Sequence, residues 1–594
     1  MKAHDLREAF QVRQAKVGGE MAIAGGEQIG ALEQRIEDER ERFGVPGAAV
    51  AIVRDGEVRL VRGFGLRDSE GRMPVTERTQ FAIASVTKAF TATLIAALVG
   101  DGRLEWDRPL REYLPRFRMY DPVATELMTP KDLLCHRSGL PRHDLLWYAN
   151  PHLSRREVVE ERLRHLQPSA SFREAWQYNN LMYLTAGYLA GEVMGTTWEE
   201  AVRTRLLVPL GMMATCFSPQ DAGQTGDCSQ GYRETRGRLV PQELKEMPVC
   251  GPAGSIYSCI ADLAEWVRVN VNQGRRGEVQ VIEPAALRTL QAPAMVMPEM
   301  EELWPESFAV GYALGWQVES YRGHRLIQHS GGIDGFSSLV TMVPGARCGV
   351  AVLSNKSGTS LPPTLAYTVM DDLLGLSPLP WGERFHGLEG ALRQGMEQAI
   401  DRRQATAGSA PPTQELQAYE GEYHHPGYGP VNVSVREGRL GVRYGELDMT
   451  VAHRHHDTWD AAVASVSEAA IPVTFQTDAD GEVTSLSMPL EPSVGPIMFL
   501  RRPDARLSDA AFLDSLTGEY EMGPMRARIR HRASKLTVDI APGGSMELVP
   551  HRRTTFRVKG RPGLTVEFVL SDGGGVKEVV VQPAVGVFTP APRA

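Results

Sequence analysis

Over residues 28–43 apolar positions recur at helical spacing among many charges, which predicts an amphipathic helix. Gly44-Val45-Pro46-Gly47 then ends it, because glycine and proline break helices. Two β-rich runs follow, 48–53 and 58–64, around Arg54-Asp55-Gly56-Glu57, where Asp-Gly marks a hairpin turn. From about 85 to 300 the pattern is mostly helical with many breaks. Strand-like runs return at 337–343 and 348–353 across Pro344-Gly345, before a last amphipathic helix at about 364–374. The order helix, strands, helices, strands, helix predicts an α/β (α+β) domain: a central antiparallel sheet flanked by helices, with a helical subdomain inserted.

After a helix rich in Arg, Gln and Ala, Ser409-Ala410-Pro411-Pro412 reads as a linker, and a weak internal repeat begins. Glu420-Gly421-Glu422-Tyr423 returns as Thr517-Gly518-Glu519-Tyr520, and Val473-Thr474-Phe475 as Val566-Glu567-Phe568. Short alternating strands separated by turns predict two small antiparallel β-barrels of lipocalin-like form. The expected division is an N-terminal extension over 1–21, a mixed domain over 22–385, a helical linker over 386–413, and barrels over 414–505 and 506–594.

Composition narrows the function classes. With 594 residues, several cores are expected, and 42% apolar with 23% charged content fits a globular protein. The net charge of −9, without a dense basic block, makes nucleic acid an unexpected partner. The six cysteines form no Cys-x-x-Cys pair and read as reduced thiols. Residues 1–25 lack an apolar signal core and no stretch approaches membrane-helix length, so the expected location is cytoplasmic, away from membranes.

The chemistry concentrates in Ser85-Val86-Thr87-Lys88, ahead of the apolar helix 90–99. At i and i+3 the hydroxyl and the amine share a helix face. A serine becomes nucleophilic when a base takes its proton, and a lysine serves if burial keeps it neutral. Downstream, in order, come Tyr178-Asn179-Asn180 and His329-Ser330-Gly331-Gly332. With these, and with His136-Arg137-Ser138-Gly139-Leu140-Pro141 and Pro252-Ala253-Gly254-Ser255, the chain resembles the class C β-lactamase, serine D-peptidase and family VIII esterase group over roughly residues 22–380.

That resemblance implies a β-lactamase-like, penicillin-binding-protein-like domain using neither metal nor cofactor. It makes Ser85 the nucleophile, Lys88 its proton acceptor and Tyr178 the relay to the leaving group. The backbone N–H groups of Ser85 and Gly332 would form the oxyanion hole. Asn180, His329, Ser330 and Gly331 would bind substrate, with the two glycines letting it approach closely. His329 stands where the β-lactamases carry Lys-Thr-Gly, so a permanent cation for a substrate carboxylate is missing and penicillin turnover is expected to be poor. The expected substrate is a small peptide or amide, including D-configured ones. A short-acyl ester and weak β-lactamase activity remain alternatives, as does an inert binding or scaffold protein. A homodimer is allowed for. Barrel extensions of this kind occur in D-aminopeptidases of the group and can cover the cleft.

Other features stay secondary. His453-Arg454-His455-His456 lacks metal-ligand spacing and reads as surface polarity. Arg526, Arg528, Arg530 and Arg532 alternate onto one strand face, which reads as solvated. The Met-rich stretch 295–305 is expected to be an irregular apolar loop beside the cleft or within the core.

Overall fold

The computed structural model describes residues 26–298, 304–405, 410–462, 470–479, 481–540, 544–561, 563–571, 574–582 and 586–591. The expected extension over 1–21 and part of the Met-rich stretch lie outside them. The chain divides into two compact units. One contains the described part of Met1–Arg142, Pro151–Glu160 and Pro168–Met396; the other contains His143–Asn150, Glu161–Gln167 and Glu397–Ala594.

In the first unit, helix α1 (Gly26–Arg42) precedes strands β1 (Gly47–Arg54), β2 (Glu57–Asp68) and β3 (Met73–Pro74). The hairpin turn is built as the Asp-Gly signal predicts, with Asp55 and Gly56 both left-handed at φ 56° and 77°. Five later strands complete the sheet: β4 (Ser307–Tyr312), β5 (Gln317–Tyr321), β6 (His324–Ile333), β7 (Phe336–Val343) and β8 (Cys348–Ser354). Their order is β4-β5-β6-β7-β8-β1-β2-β3, which pairs the N-terminal strands with the last one, Ala48 opposite Ser354.

Both faces of β1 are buried. Ala48, Val50 and Ile52 join a core with Leu32 and Ile36 of α1 and with Leu361, Leu365 and Val369 of helix Leu361–Leu373. Ala49, Ala51 and Val53 are equally buried, and alternation turns them to the opposite face, where helix Ile260–Val271 packs. Between β3 and β4 lies the helical region with α2 (Thr87–Gly100) and α3 (Asn180–Met194). α2 is buried continuously from Thr87 to Ala96, as a helix apolar on all sides must be. Phe90 stacks on Trp266 at a centroid distance of 4.0 Å. None of the six cysteines is in a disulfide.

The second unit holds two closed eight-stranded antiparallel barrels, from Gly421–His425 to Ile497–Arg501 and from Gly518–Met522 to Gly586–Pro590. The repeated Gly-Glu-Tyr opens each one in the same way. Tyr423 is buried and its hydroxyl donates to the Tyr419 carbonyl (2.8 Å), and Tyr520 does likewise to Leu516 (2.9 Å). Both tyrosines also pair with the last strand of their barrel. The second barrel is filled by its own side chains, leaving a cavity of about 20 Å³, room for roughly one water.

The arginine stripe faces outward and is met by carboxylates of adjoining strands: Arg526 by Glu521, Arg528 by Glu519 and Arg530 by Asp539. In the first barrel, His453 Nε2 bonds the His456 carbonyl (2.8 Å) where a strand ends. The segment 143–150 is tied into this unit, with His143 Nδ1 2.7 Å from the Tyr428 hydroxyl and the Glu446 N–H donating to the Ala149 carbonyl. No helix among the described residues is long and apolar enough to cross a membrane.

Candidate active site

Ser85 sits in a 3₁₀ turn, Ala84–Val86, that runs directly into α2. Ala84 takes a left-handed φ of 47°, a strained turn for a residue with a side chain, and it delivers Ser85 partly exposed while its neighbours are buried. Lys88, in the first turn of α2, is fully buried. Its Nζ donates to Ser85 Oγ at 3.0 Å and to the Ala253 carbonyl at 2.8 Å. The Pro252-Ala253-Gly254-Ser255 segment therefore acts through its backbone. Thr91 Oγ1 also bonds the Pro252 carbonyl, and the Ile83 N–H donates to the Ile256 carbonyl.

Tyr178 precedes α3, whose N-cap is Asn179: its side chain accepts the Met182 N–H at 2.9 Å. The same side chain donates to the carbonyls of Leu140 and Pro141. His136 grips this stretch from both sides. Its carbonyl accepts the Gln177 N–H (2.8 Å) and its Nδ1 accepts the Asn179 N–H (3.1 Å). With Nδ1 an acceptor, the neutral ring carries its proton on Nε2. That group has no hydrogen-bond partner among the described residues and lies among the rings of Tyr178, Tyr183 and Tyr312, at centroid distances of 4.5, 5.2 and 4.6 Å. Burial, helped by Lys88, holds the His136 imidazole well below its usual range.

The Tyr178 ring lies 4.8 Å from Lys88 Nζ and 5.0 Å from the Arg142 guanidinium. Asn180 is the buried first residue of α3. His329 is 5% exposed, and both ring nitrogens are engaged: Nδ1 donates to the Ser330 carbonyl (2.7 Å), so Nε2 accepts from the Tyr312 hydroxyl (2.8 Å). Burial, and then Lys88, push its pKa down to about 3. The imidazole is thus neutral at working pH and supplies no cation.

Along β6 the burial alternates, with Ser330 and Gly332 outward and His329 and Gly331 inward. A side chain at Gly331 would meet the Ile83 carbonyl at 2.1 Å and Ser338 Oγ at 2.4 Å, whereas Gly332 has open space. The close approach at Gly331 is therefore made by the protein's own backbone beside the Ser85 turn, not by substrate. Sequence reading noted His136 without giving it a task and singled out none of Arg142, Tyr183 and Tyr312 as functional.

Burying His329 neutral has a pH signature. Between its unfolded value near 6.5 and its folded value of about 3, the unfolded chain binds a proton that the folded chain refuses. The stability is complete above pH 6.5 and falls as pH drops through that window, by about 2 kcal/mol from 6.5 to 5 for one such group. The urea midpoint of wild type should decline between pH 7 and pH 5 by more than that of His329→Gln; equal declines would refute this.

Residues 32–374 match the Beta-lactamase family, and residues 405–499 match a domain of unknown function, DUF3471. The unguisins hydrolase ungD' of Aspergillus campestris is 29% identical over 485 residues, covering 77% of this chain and 88% of that protein. Protein flp of Staphylococcus aureus is 27% identical over 338 residues, covering 56% of this chain and 64% of that protein. The octameric penicillin-binding protein homologue from Pyrococcus abyssi shares the fold, with a TM-score of 0.53 at 21% identity, over 86% of this chain and 98% of that one. The first family match takes in more than half of the chain and every residue of the Ser85 cluster, and on that ground the chain belongs to the Beta-lactamase family, as a serine β-lactamase-like hydrolase.

Proposed function

We propose that this chain hydrolyses small amide or peptide substrates through an acyl-enzyme on Ser85. The observation that carries the reading is the 3.0 Å bond between Ser85 Oγ and the fully buried Lys88 Nζ. Burial disfavours the charged form of an amine, which leaves Lys88 able to accept the serine proton as Oγ attacks the carbonyl. The developing oxyanion is held by the backbone N–H groups of Ser85 and Gly332. Tyr178 passes the proton to the leaving nitrogen and later draws one from the water that releases the acyl group. Asn180 and Ser330 border the substrate. His329, neutral and engaged with Tyr312, offers no fixed charge to a β-lactam carboxylate, so nitrocefin turnover is expected to be slow. Similarity to a protein named as a hydrolase of unguisins supports hydrolysis as the reaction.

The test is intact-mass and peptide-mapping analysis of the full chain after treatment with a fluorophosphonate, beside rates on matched aminoacyl amides of both configurations and p-nitrophenyl esters. The expected result is one adduct on Ser85 and measurable amide turnover. An adduct elsewhere would overturn the acyl-enzyme, and turnover of esters alone would replace amidase by esterase.

A further inference from the structure

We infer that Arg142 acts through Tyr178, as a second cation that stabilises the phenolate and takes over a charge that residue 329 does not supply. The inference rests on the role proposed above for Tyr178. A phenol ordinarily ionises near pH 10, so it works as a base near neutrality when surrounding charges favour its anion. The ring is faced by Lys88 from α2, by Tyr183 from α3, by His136, Arg142 and Trp176 from the loops before α3, by Tyr312 from β4 and by His329 from β6. Both histidines are held neutral by burial. Two cations lie over the ring, Lys88 Nζ at 4.8 Å and the Arg142 guanidinium at 5.0 Å from its centroid.

These two cations do different work. Lys88 must give up its charge to serve as base, so its support for the phenolate lapses when it is neutral. A guanidinium is protonated throughout the working range and its charge is constant. A cation over a neutral ring gains a little from the ring's quadrupole, but over a phenolate it faces a full negative charge, and that difference is what lowers the pKa.

The backbone shows how Arg142 is held there. Asn179, the neighbour of Tyr178, donates through one side-chain amide to the carbonyls of Leu140 and Pro141, the two residues before Arg142. The same side chain caps α3. One residue thus fixes the start of both the arginine and the tyrosine, so their separation is set by short hydrogen bonds rather than by a long flexible path.

An opposite charge within about 4–6 Å lowers a pKa by about 1–3 units, and the lower end applies because Arg142 is exposed. The experiment places 3,5-difluorotyrosine at position 178 of the full chain. Its ionisation is followed by fluorine NMR in wild type, Arg142→Gln and Arg142→Lys, alongside the acid limb of kcat/KM. Arg142→Gln should raise the midpoint by about 1 unit and move the acid limb by the same amount, and Arg142→Lys should restore both. Raised salt should narrow the gap between wild type and Arg142→Gln. An unmoved midpoint in a folded Arg142→Gln protein overturns the inference, even if kcat falls, because a merely structural arginine would lower the rate without shifting the titration. The titration needs no substrate: a shifted midpoint without Ser85-dependent turnover would sustain the inference and sink the proposed function.

Discussion

Turnover by Ser85→Ala is expected to fall on the order of 10⁶-fold, Lys88→Met to fall nearly as far, and the double variant to fall no further than the worse single one. The reason is that the two side chains form one device. Ser85 Oγ is activated by the amine 3.0 Å away, and that amine has its task through the hydroxyl it bonds. Removing either leaves the other without a function in bond formation, so the losses cannot multiply. What survives is catalysis by the oxyanion donors and by binding alone. Single-turnover kinetics on one amide and one ester, measured on all three variants, decide the matter. Losses that multiply in the double variant would mean that serine and lysine act in separate steps. Ser85→Ala should leave thermal unfolding close to wild type, because the hydroxyl is partly exposed. Lys88→Met also removes the donor to the Ala253 carbonyl, an unpaired buried acceptor that costs about 1–3 kcal/mol. Its stability is therefore measured separately, so that a folding defect is not read as chemistry.

Much of this site was legible because its central contact is local. Ser85 and Lys88 meet through helix geometry, and three residues of spacing suffice to place them together. The Asp55-Gly56 turn and the paired Gly-Glu-Tyr openings of the barrels were legible for the same reason: each carries its physical cause within a few residues. Arg142, His136, Tyr183 and Tyr312 are different. They reach Tyr178 from separate stretches of chain, through the Asn179 bonds and the packing of α3 against α2. Nothing in the residues around Arg142 marks it apart from other surface arginines.

The fold was legible to a similar depth. β1, β7 and β8 are runs rich in small and β-branched residues buried on both faces, which reads directly as strand, whereas the partly exposed β2 was legible from the Asp-Gly turn that pairs it with β1. β4 was missed because it lies at the sheet edge, where Phe308 and Val310 are exposed and Gly311 interrupts the run, and β5, paired on both sides, was missed because it is only five residues long. The membership of 143–150 and 161–167 in the barrel unit was equally invisible, since it depends on bonds such as that from His143 to Tyr428, 285 positions apart in sequence.

Gly331→Ala should cripple the enzyme, whereas Gly332→Ala should leave the fold intact. The added methyl at 331 would lie 2.1 Å from the Ile83 carbonyl and 2.4 Å from Ser338 Oγ, both far inside van der Waals contact. Neither neighbour can yield easily. The Ile83 carbonyl accepts from Ser338 Oγ at 2.8 Å while the Ile83 N–H is held by Ile256, and the next residue, Ala84, already sits in a left-handed turn. The strand must therefore move away from the turn, or the turn must move with Ser85 on it. Such overpacking costs about 1–3 kcal/mol of stability. A shift approaching 1 Å between nucleophile and oxyanion donor costs roughly 10²-fold in rate even where the protein stays folded. At 332 a methyl meets nothing within 4 Å, so urea midpoints should match wild type and any loss there should appear in kcat/KM alone. Wild-type rates in a folded Gly331→Ala protein would mean that β6 and the Ser85 turn are not locked together at Ile83, and the oxyanion role assigned to Gly332 would lose its structural support.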